Sequence, residues 1–210
     1  MRIIAGRLRH RVLLSNPGVI TRPITDRVKE SLFSRLGDSV EGKRVLDIFA
    51  GTGTLGLEAL SRGAESVVFI EKDPTACDLL RKNLAAFKVQ DQTLCWQTDA
   101  LRASYRPKGA ALEAPFDLIF FDPPYRLVPE MTPGSPLFKA LERLAKPEVS
   151  REAARLIFRV PEKSVLQMPS AWVSRWNFVM SNMDVQVFQR ASQPAVDMGT
   201  IPHDNAPLTD

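Results

Sequence analysis

The chain has 210 residues, 44% hydrophobic and 25% charged, with a formal net charge of +4. That composition suits one soluble domain with a substantial core, and no apolar run reaches the length of a membrane span or a signal-peptide core. Two cysteines, Cys77 and Cys95, argue against a disulfide framework and for a reduced, cytoplasmic setting.

The charge is unevenly placed. Residues 1–44 hold ten Lys/Arg and four acids, a surplus of +6, which leaves −2 for the remainder. No acid precedes Asp26. A one-sided basic N-terminus is what a polyanion-binding surface looks like, and it is equally what a solvated basic face looks like. Residues 2–5 and 11–14 read as two short strands around a basic turn, a hairpin that must dock on something to persist. Thr25 or Asp26 caps a helix running to Leu36, with Val28, Leu32, Phe33 and Leu36 at helical spacing. Arg27, Lys29 and Arg35 are assigned to its other face.

From Gly42 onward strands and helices alternate. Strands are expected near 44–49, 66–71, 92–97, 116–121 and 154–160. Helices are expected near 54–62, 75–87 and 136–145, with a weaker one near 99–105. That alternation predicts an α/β fold, Rossmann-like, with a mostly parallel sheet. Residues 172–180 and 183–190 form a hairpin about Ser181-Asn182, which adds an antiparallel edge and brings the sheet to seven strands. The expected organisation is an extension at 1–40, a main domain at 41–191 and a disordered tail at 192–210.

The chemistry is concentrated at strand ends. Gly51, Gly53 and Gly56 follow the strand at 44–49 as G-x-G-x-x-G, and Glu71 lies 20 residues beyond Gly51. That carboxylate suits a ribose with both hydroxyls free. Asp47, just before the loop, would repel a pyrophosphate and suits a cationic group such as the ammonium of a methionine moiety; alternatively it caps the turn. S-adenosylmethionine has that ammonium, a carboxylate and a ribose. Asp99, after the third strand, is placed either to accept from an adenine amine or to cap the next segment. The sharpest signal is Asp122-Pro123-Pro124-Tyr125 after the apolar strand at 116–121. Two prolines stiffen the backbone and donate no hydrogen bond, leaving an acceptor array suited to an NH₂ group that must become a nucleophile. Tyr125 offers an aromatic face for a base. His10, His203 and the cysteines lack metal-ligand spacing, so no metal site is expected.

Together with Met1–Arg9, Arg22–Glu30 and Leu57–Ala64, these motifs resemble the bacterial 16S ribosomal RNA guanine-N2 methyltransferase family (RsmD type), class I S-adenosylmethionine-dependent enzymes. The resemblance covers residues 1–125. It implies cofactor contacts from Asp47, Ala50, Gly51, Thr52, Gly53, Glu71, Lys72, Asp99, Ala100 and Asp122. It implies catalysis by Asp122, Pro123 and Tyr125, and RNA contacts from Arg7, Arg9, Arg11, Arg22, Arg27 and Lys29. The implied partner of this monomer is ribosomal RNA, in the small subunit or an assembly intermediate. Three departures stand out. His10 replaces a usual glycine, the loop at 126–135 is long, and Phe158-Arg159-Val160 ends the fifth strand where the family tends to carry an acid. The rival readings are an adenine or glutamine amino methyltransferase, a non-catalytic RNA-binding assembly factor, and a nicotinamide dehydrogenase.

Overall fold

The computed structural model describes residues 1–15, 24–107, 112 and 114–192. Helix α1 (Asp26–Leu36) leads into β1 (Arg44–Ile48), α2 (Thr54–Ser61), β2 (Ser66–Glu71), α3 (Pro74–Phe87), β3 (Thr93–Gln97) and β4 (Phe116–Phe121). Then come α4 (Pro136–Leu144), β5 (Ser150–Pro161), β6 (Trp172–Met180) and β7 (Met183–Arg190). The seven strands lie in the order β3-β2-β1-β4-β5-β7-β6. The first five are parallel, and β7 pairs antiparallel with both β5 and β6. Ser181 and Asn182 adopt φ +55° and +62°, the left-handed pair that a tight two-residue hairpin turn requires. No helix of the described residues is long and apolar enough to cross a membrane.

Both faces of the sheet are buried, so its central strands read as continuous apolar runs. Val45, Val67, Phe69, Leu118 and Phe120 pack with α1, α2 and α3, while Leu46, Val68, Ile70, Ile119 and Phe121 pack with α4. Asp47 shares the parity of Val45, so its side chain lies on the face that α2 covers. Gly56 allows that helix to come close, since a Cβ there would stand 2.4 Å from the Phe69 ring.

The N-terminal extension shares this core. Ile3, Leu8 and Leu13 are buried with α1 and α2 in one cluster. The expected pair of strands reduces to a single bridge between Arg2 and Val12, because the Ile4, Ala5, Arg7 and Leu8 amides bond to α2 instead of across the hairpin. The Ile4 and Ala5 amides donate to the Glu58 carboxylate at 2.8 and 3.1 Å, and the Arg7 amide donates to the Ser61 carbonyl at 2.8 Å. His10 has φ +69°, the region glycine enters without strain.

The weak helix expected at 99–105 does not form. The Ala103 amide reaches the Asp99 carbonyl for one turn, and Tyr105 then adopts φ +60°. Arg143 of α4 takes the Leu101 and Ala103 carbonyls instead. The expected tail falls outside the described residues from 193 onward.

Candidate active site

The C-terminal ends of β1, β2, β3 and β4 meet at one edge of the sheet, where open parallel sheets bind ligands. Asp47 is buried there at 2% exposure, and its Oδ2 accepts from the Gly56 amide at 2.8 Å. The capping alternative therefore holds for one of its oxygens. Burial pushes the Asp47 carboxyl well above the usual aspartate range; the Gly56 N–H opposes this, and the nearby Asp122 and Glu71 charges add to it.

Past Asp47 the backbone turns tightly. Phe49 has φ +61°, a costly conformation for an aromatic residue, and Gly51 and Gly53 have φ +54° and +87°. The Ala50 amide donates to the Ile70 carbonyl at 3.1 Å, and its carbonyl accepts from Gly53 at 2.9 Å. A Cβ on Gly51 would meet only open space, so this side of the loop has room for a ligand.

Glu71 ties the neighbouring strand end to the loop. Its Oε2 accepts from the Gly51 amide at 2.9 Å, and its Oε1 from the Lys72 and Asp73 amides at 2.8 and 2.9 Å. The Lys72 residue itself is exposed. The Thr52 carbonyl is held by buried Asn83 of α3 at 3.1 Å, and the same amide side chain bonds the Leu14 N–H and C=O at 2.8 and 3.2 Å. Asn83 thus links the N-terminal extension to the glycine loop, a role that spacing along the chain does not announce. Asp99 caps the turn after β3 by accepting from Leu101 at 2.9 Å, and the Ala100 carbonyl accepts from the Tyr105 hydroxyl at 2.6 Å.

Asp122 follows β4, and its amide donates to the Ile48 carbonyl at 3.3 Å. The acceptor turn therefore sits directly beside the glycine loop. Pro123 is buried, and Tyr125 opens a short helical turn, Tyr125–Leu127. The Asp122 carboxylate has a partner that its own turn does not supply. Arg159 of β5 grips it with a fork, Nε to Oδ1 at 2.7 Å and Nη2 to Oδ2 at 2.6 Å. The Arg159 guanidinium carbon also lies 5.8 Å from the centre of the Tyr125 ring. Burial pushes the Asp122 carboxyl up and the guanidinium pulls it back. Sequence reading registered Arg159 only as a departure from a family pattern. The register supplies its role: Phe121 pairs with Phe158, so the next residues on each strand are Asp122 and Arg159.

The basic residues divide. Arg7, Arg9, Arg11 and Arg27 are exposed. Arg7 also donates to Gln92, and Arg11 donates to the Ala86 carbonyl at 3.2 Å and lies over the Phe87 ring. Arg22 lies outside the described residues. Lys29 is a correction: it is fully buried, donates to the Arg2 carbonyl and pairs with Glu58 at 3.4 Å, so it is not a surface cation. Its spacing of three, four and seven residues from Leu32, Phe33 and Leu36 was the overlooked signal, since it places Lys29 on the apolar side.

The chain is similar to several known proteins. The family model described as "Conserved hypothetical protein 95" matches residues 1–184. The Bacillus subtilis protein "Putative rRNA methyltransferase YlbH" is 42% identical over 126 residues, 60% of this chain and 67% of that protein. The Haemophilus influenzae "Ribosomal RNA small subunit methyltransferase D" is 41% identical over 128 residues, 60% of this chain and 64% of that protein. The chain thus spans about two thirds of the length of these curated relatives, at 67% and 64%. Among solved structures, "Putative methyltransferase yhhF from Escherichia coli" superposes with a TM-score of 0.76 at 31% identity, over 92% of this chain and 99% of that one.

Proposed function

The chain belongs to the family described as "Conserved hypothetical protein 95", and on that premise we propose that it methylates the exocyclic N2 amine of a guanine in small-subunit ribosomal RNA, using S-adenosylmethionine. The observation that carries this reading is the adjacency of the Ala50–Gly53 loop and the Asp122–Tyr125 turn across neighbouring strands. A methyl donor and a planar acceptor base need just such facing seats.

The residues present fit the cofactor. Asp47, Glu71 and Asp99 make an anionic row along three successive strand ends, suited to cationic and hydroxyl donors and hostile to pyrophosphate. When bound, S-adenosylmethionine supplies an electrophilic methyl group on a sulfonium. Asp47 with Ala50, Gly51, Thr52 and Gly53 would hold the methionine part. Glu71 and Lys72 would hold the ribose, and Asp99 and Ala100 the adenine. The target base leaves its stack, at a cost of a few kcal/mol, and stacks on Tyr125.

Asp122 and the Pro123 carbonyl each accept one amine hydrogen. This withdraws the nitrogen lone pair from conjugation and aims it. With the cofactor bound, that lone pair would face the methyl group it supplies, and the proton displaced from the amine would be released to water. In-line alignment is the main catalytic device. Exposed Arg7, Arg9, Arg11 and Arg27 steer the RNA backbone. The working form is a monomer acting in the cytoplasm on the small subunit or an assembly intermediate.

A second reading, an RNA-binding assembly factor without turnover, draws on the Arg159 fork that already occupies both Asp122 oxygens. Each carboxylate oxygen keeps a further lone pair, so the fork and an amine are compatible. Labelled methyl transfer to RNA and small subunits from a strain lacking this gene separates the two, with the modified base then mapped. Label on one guanine N2 supports the enzyme. Cofactor binding without transfer to any RNA supports the assembly factor.

A further inference from the structure

Asp122 stands immediately before two prolines, so its backbone is stiff, but a stiff backbone does not by itself fix the side-chain torsions. The Arg159 fork does. Two parallel charge-assisted hydrogen bonds, at 2.7 and 2.6 Å, define the plane of the carboxylate as well as its position. They use one lone pair on each oxygen and leave one on each. The pair is largely withdrawn from water, with side-chain exposures of 10% for Arg159 and 16% for Asp122. In such a place an isolated carboxylate takes up a proton, and a protonated Asp122 would present an O–H donor to an amine that needs an acceptor.

We infer that Arg159 is a positioning residue for methyl transfer: its guanidinium holds the Asp122 carboxylate in one orientation and as an acceptor, with one lone pair left for the target amine. The reading of the target as an amine rests on the proposed function; the hold on Asp122 does not. Arg159 itself has a built seat. Its strand neighbour across the antiparallel ladder is Val185, the Met183 sulfur lies 3.9 Å from Nη1, and the Tyr125 ring flanks the guanidinium.

The other charges near Asp122 do not replace Arg159. Asp47 on β1 is a like charge. Tyr125 is an aromatic face in its own turn. Asp184 on β7 is taken by the Asn177 and Gln186 amides at 3.0 and 2.8 Å. Among the described residues, Arg159 is the cation paired with Asp122.

The test uses the full chain in three forms: wild type, R159Q, which keeps a donor and loses the charge, and R159K, which keeps the charge and loses the fork. The Asp122 carboxyl is titrated without cofactor by carbon-13 NMR, its resonance assigned by absence from D122N. Single-turnover methyl transfer to small subunits from a strain lacking this gene is measured against pH. S-adenosylhomocysteine affinity is measured by calorimetry.

In R159Q the Asp122 titration is expected to move up by about one unit or more, and the acid limb of the rate profile to move with it, lowering the rate about tenfold below that limb. R159K is expected to restore the titration but only part of the rate, with cofactor affinity unchanged in both. An R159Q protein that titrates Asp122 like wild type, or keeps the wild-type pH profile, overturns the inference. If R159Q does not fold, the wild-type titration decides: an Asp122 that protonates in the neutral range despite Arg159 overturns it. A wild type that methylates no RNA removes the proposed function, and the carboxyl titration still settles the pair.

Discussion

Lys29 and Glu58 form a fully buried ion pair, 3.4 Å apart, between α1 and α2. Two buried charges are tolerable only when the remaining donors and acceptors are met. Here Glu58 also accepts from the Ile4 and Ala5 amides and from Arg62, and Lys29 donates to the Arg2 carbonyl. The pair is therefore the anchor of the N-terminal extension.

Glu58→Ala strands the Lys29 charge and two amides, and is expected to cost about 3–5 kcal/mol in urea unfolding. Trypsin cleavage at Arg7, Arg9 and Arg11 should accelerate in parallel. Lys29→Met should be destabilising too, and the double variant K29M/E58M should lose less than the sum of the single losses, because each removes the other's unpaired charge.

The position of Asp47 makes stability pH-dependent with a definite sign. Its folded pKa lies above the unfolded value of about 3.9. The folded state therefore keeps a proton that the unfolded chain releases, and stability falls as pH rises from that value towards the raised one. Asp47→Asn keeps an acceptor for Gly56 and removes this loss. It should melt at a higher temperature than wild type at neutral pH, with the advantage shrinking towards about pH 4. On the proposed reading it should also bind S-adenosylmethionine more weakly, which calorimetry measures directly.

Asp122→Ala removes the acceptor and the carboxylate that Arg159 grips. Methyl transfer should be abolished while S-adenosylhomocysteine affinity stays nearly intact. Stability should drop by about 3–5 kcal/mol because a buried ion pair loses one member. Wild-type-like turnover in this variant would remove the proposed mechanism.

Exposed and buried cations should behave differently towards RNA. Arg9→Ala or Arg27→Ala should each weaken binding and reduce the slope of log affinity against log salt by about one unit. Lys29→Met should leave that slope unchanged, because a buried cation displaces no counterion from the RNA. Filter binding over a salt series distinguishes them, and equal slopes for all three variants would contradict an RNA role for the extension.

Much of the architecture was legible along the chain. Strand and helix positions follow from local periodicity, and β1, β2 and β4 lie where their apolar runs predict. The glycine loop, Glu71 and Asp122–Tyr125 announced themselves by residue type and spacing, because strand ends in an alternating α/β chain necessarily share one edge of the sheet. Local sequence also accounts for the hairpin at Ser181-Asn182. It did not foresee that residues 99–105 would make only one turn, since Arg143 of a distant helix takes their carbonyls.

The partners of the charged groups were decided by the tertiary structure. Asp122 and Arg159 are 37 residues apart and become a pair only through the β4–β5 register. Lys29 and Glu58 meet only because α1 and the extension pack on α2. Periodicity states which face of an element is apolar, but a charge on or near that face is read as solvated until its partner is known. Burial and pairing depend on contacts between segments far apart in sequence, so the chain alone determined where the chemistry stands, and the packing determined what holds each carboxylate.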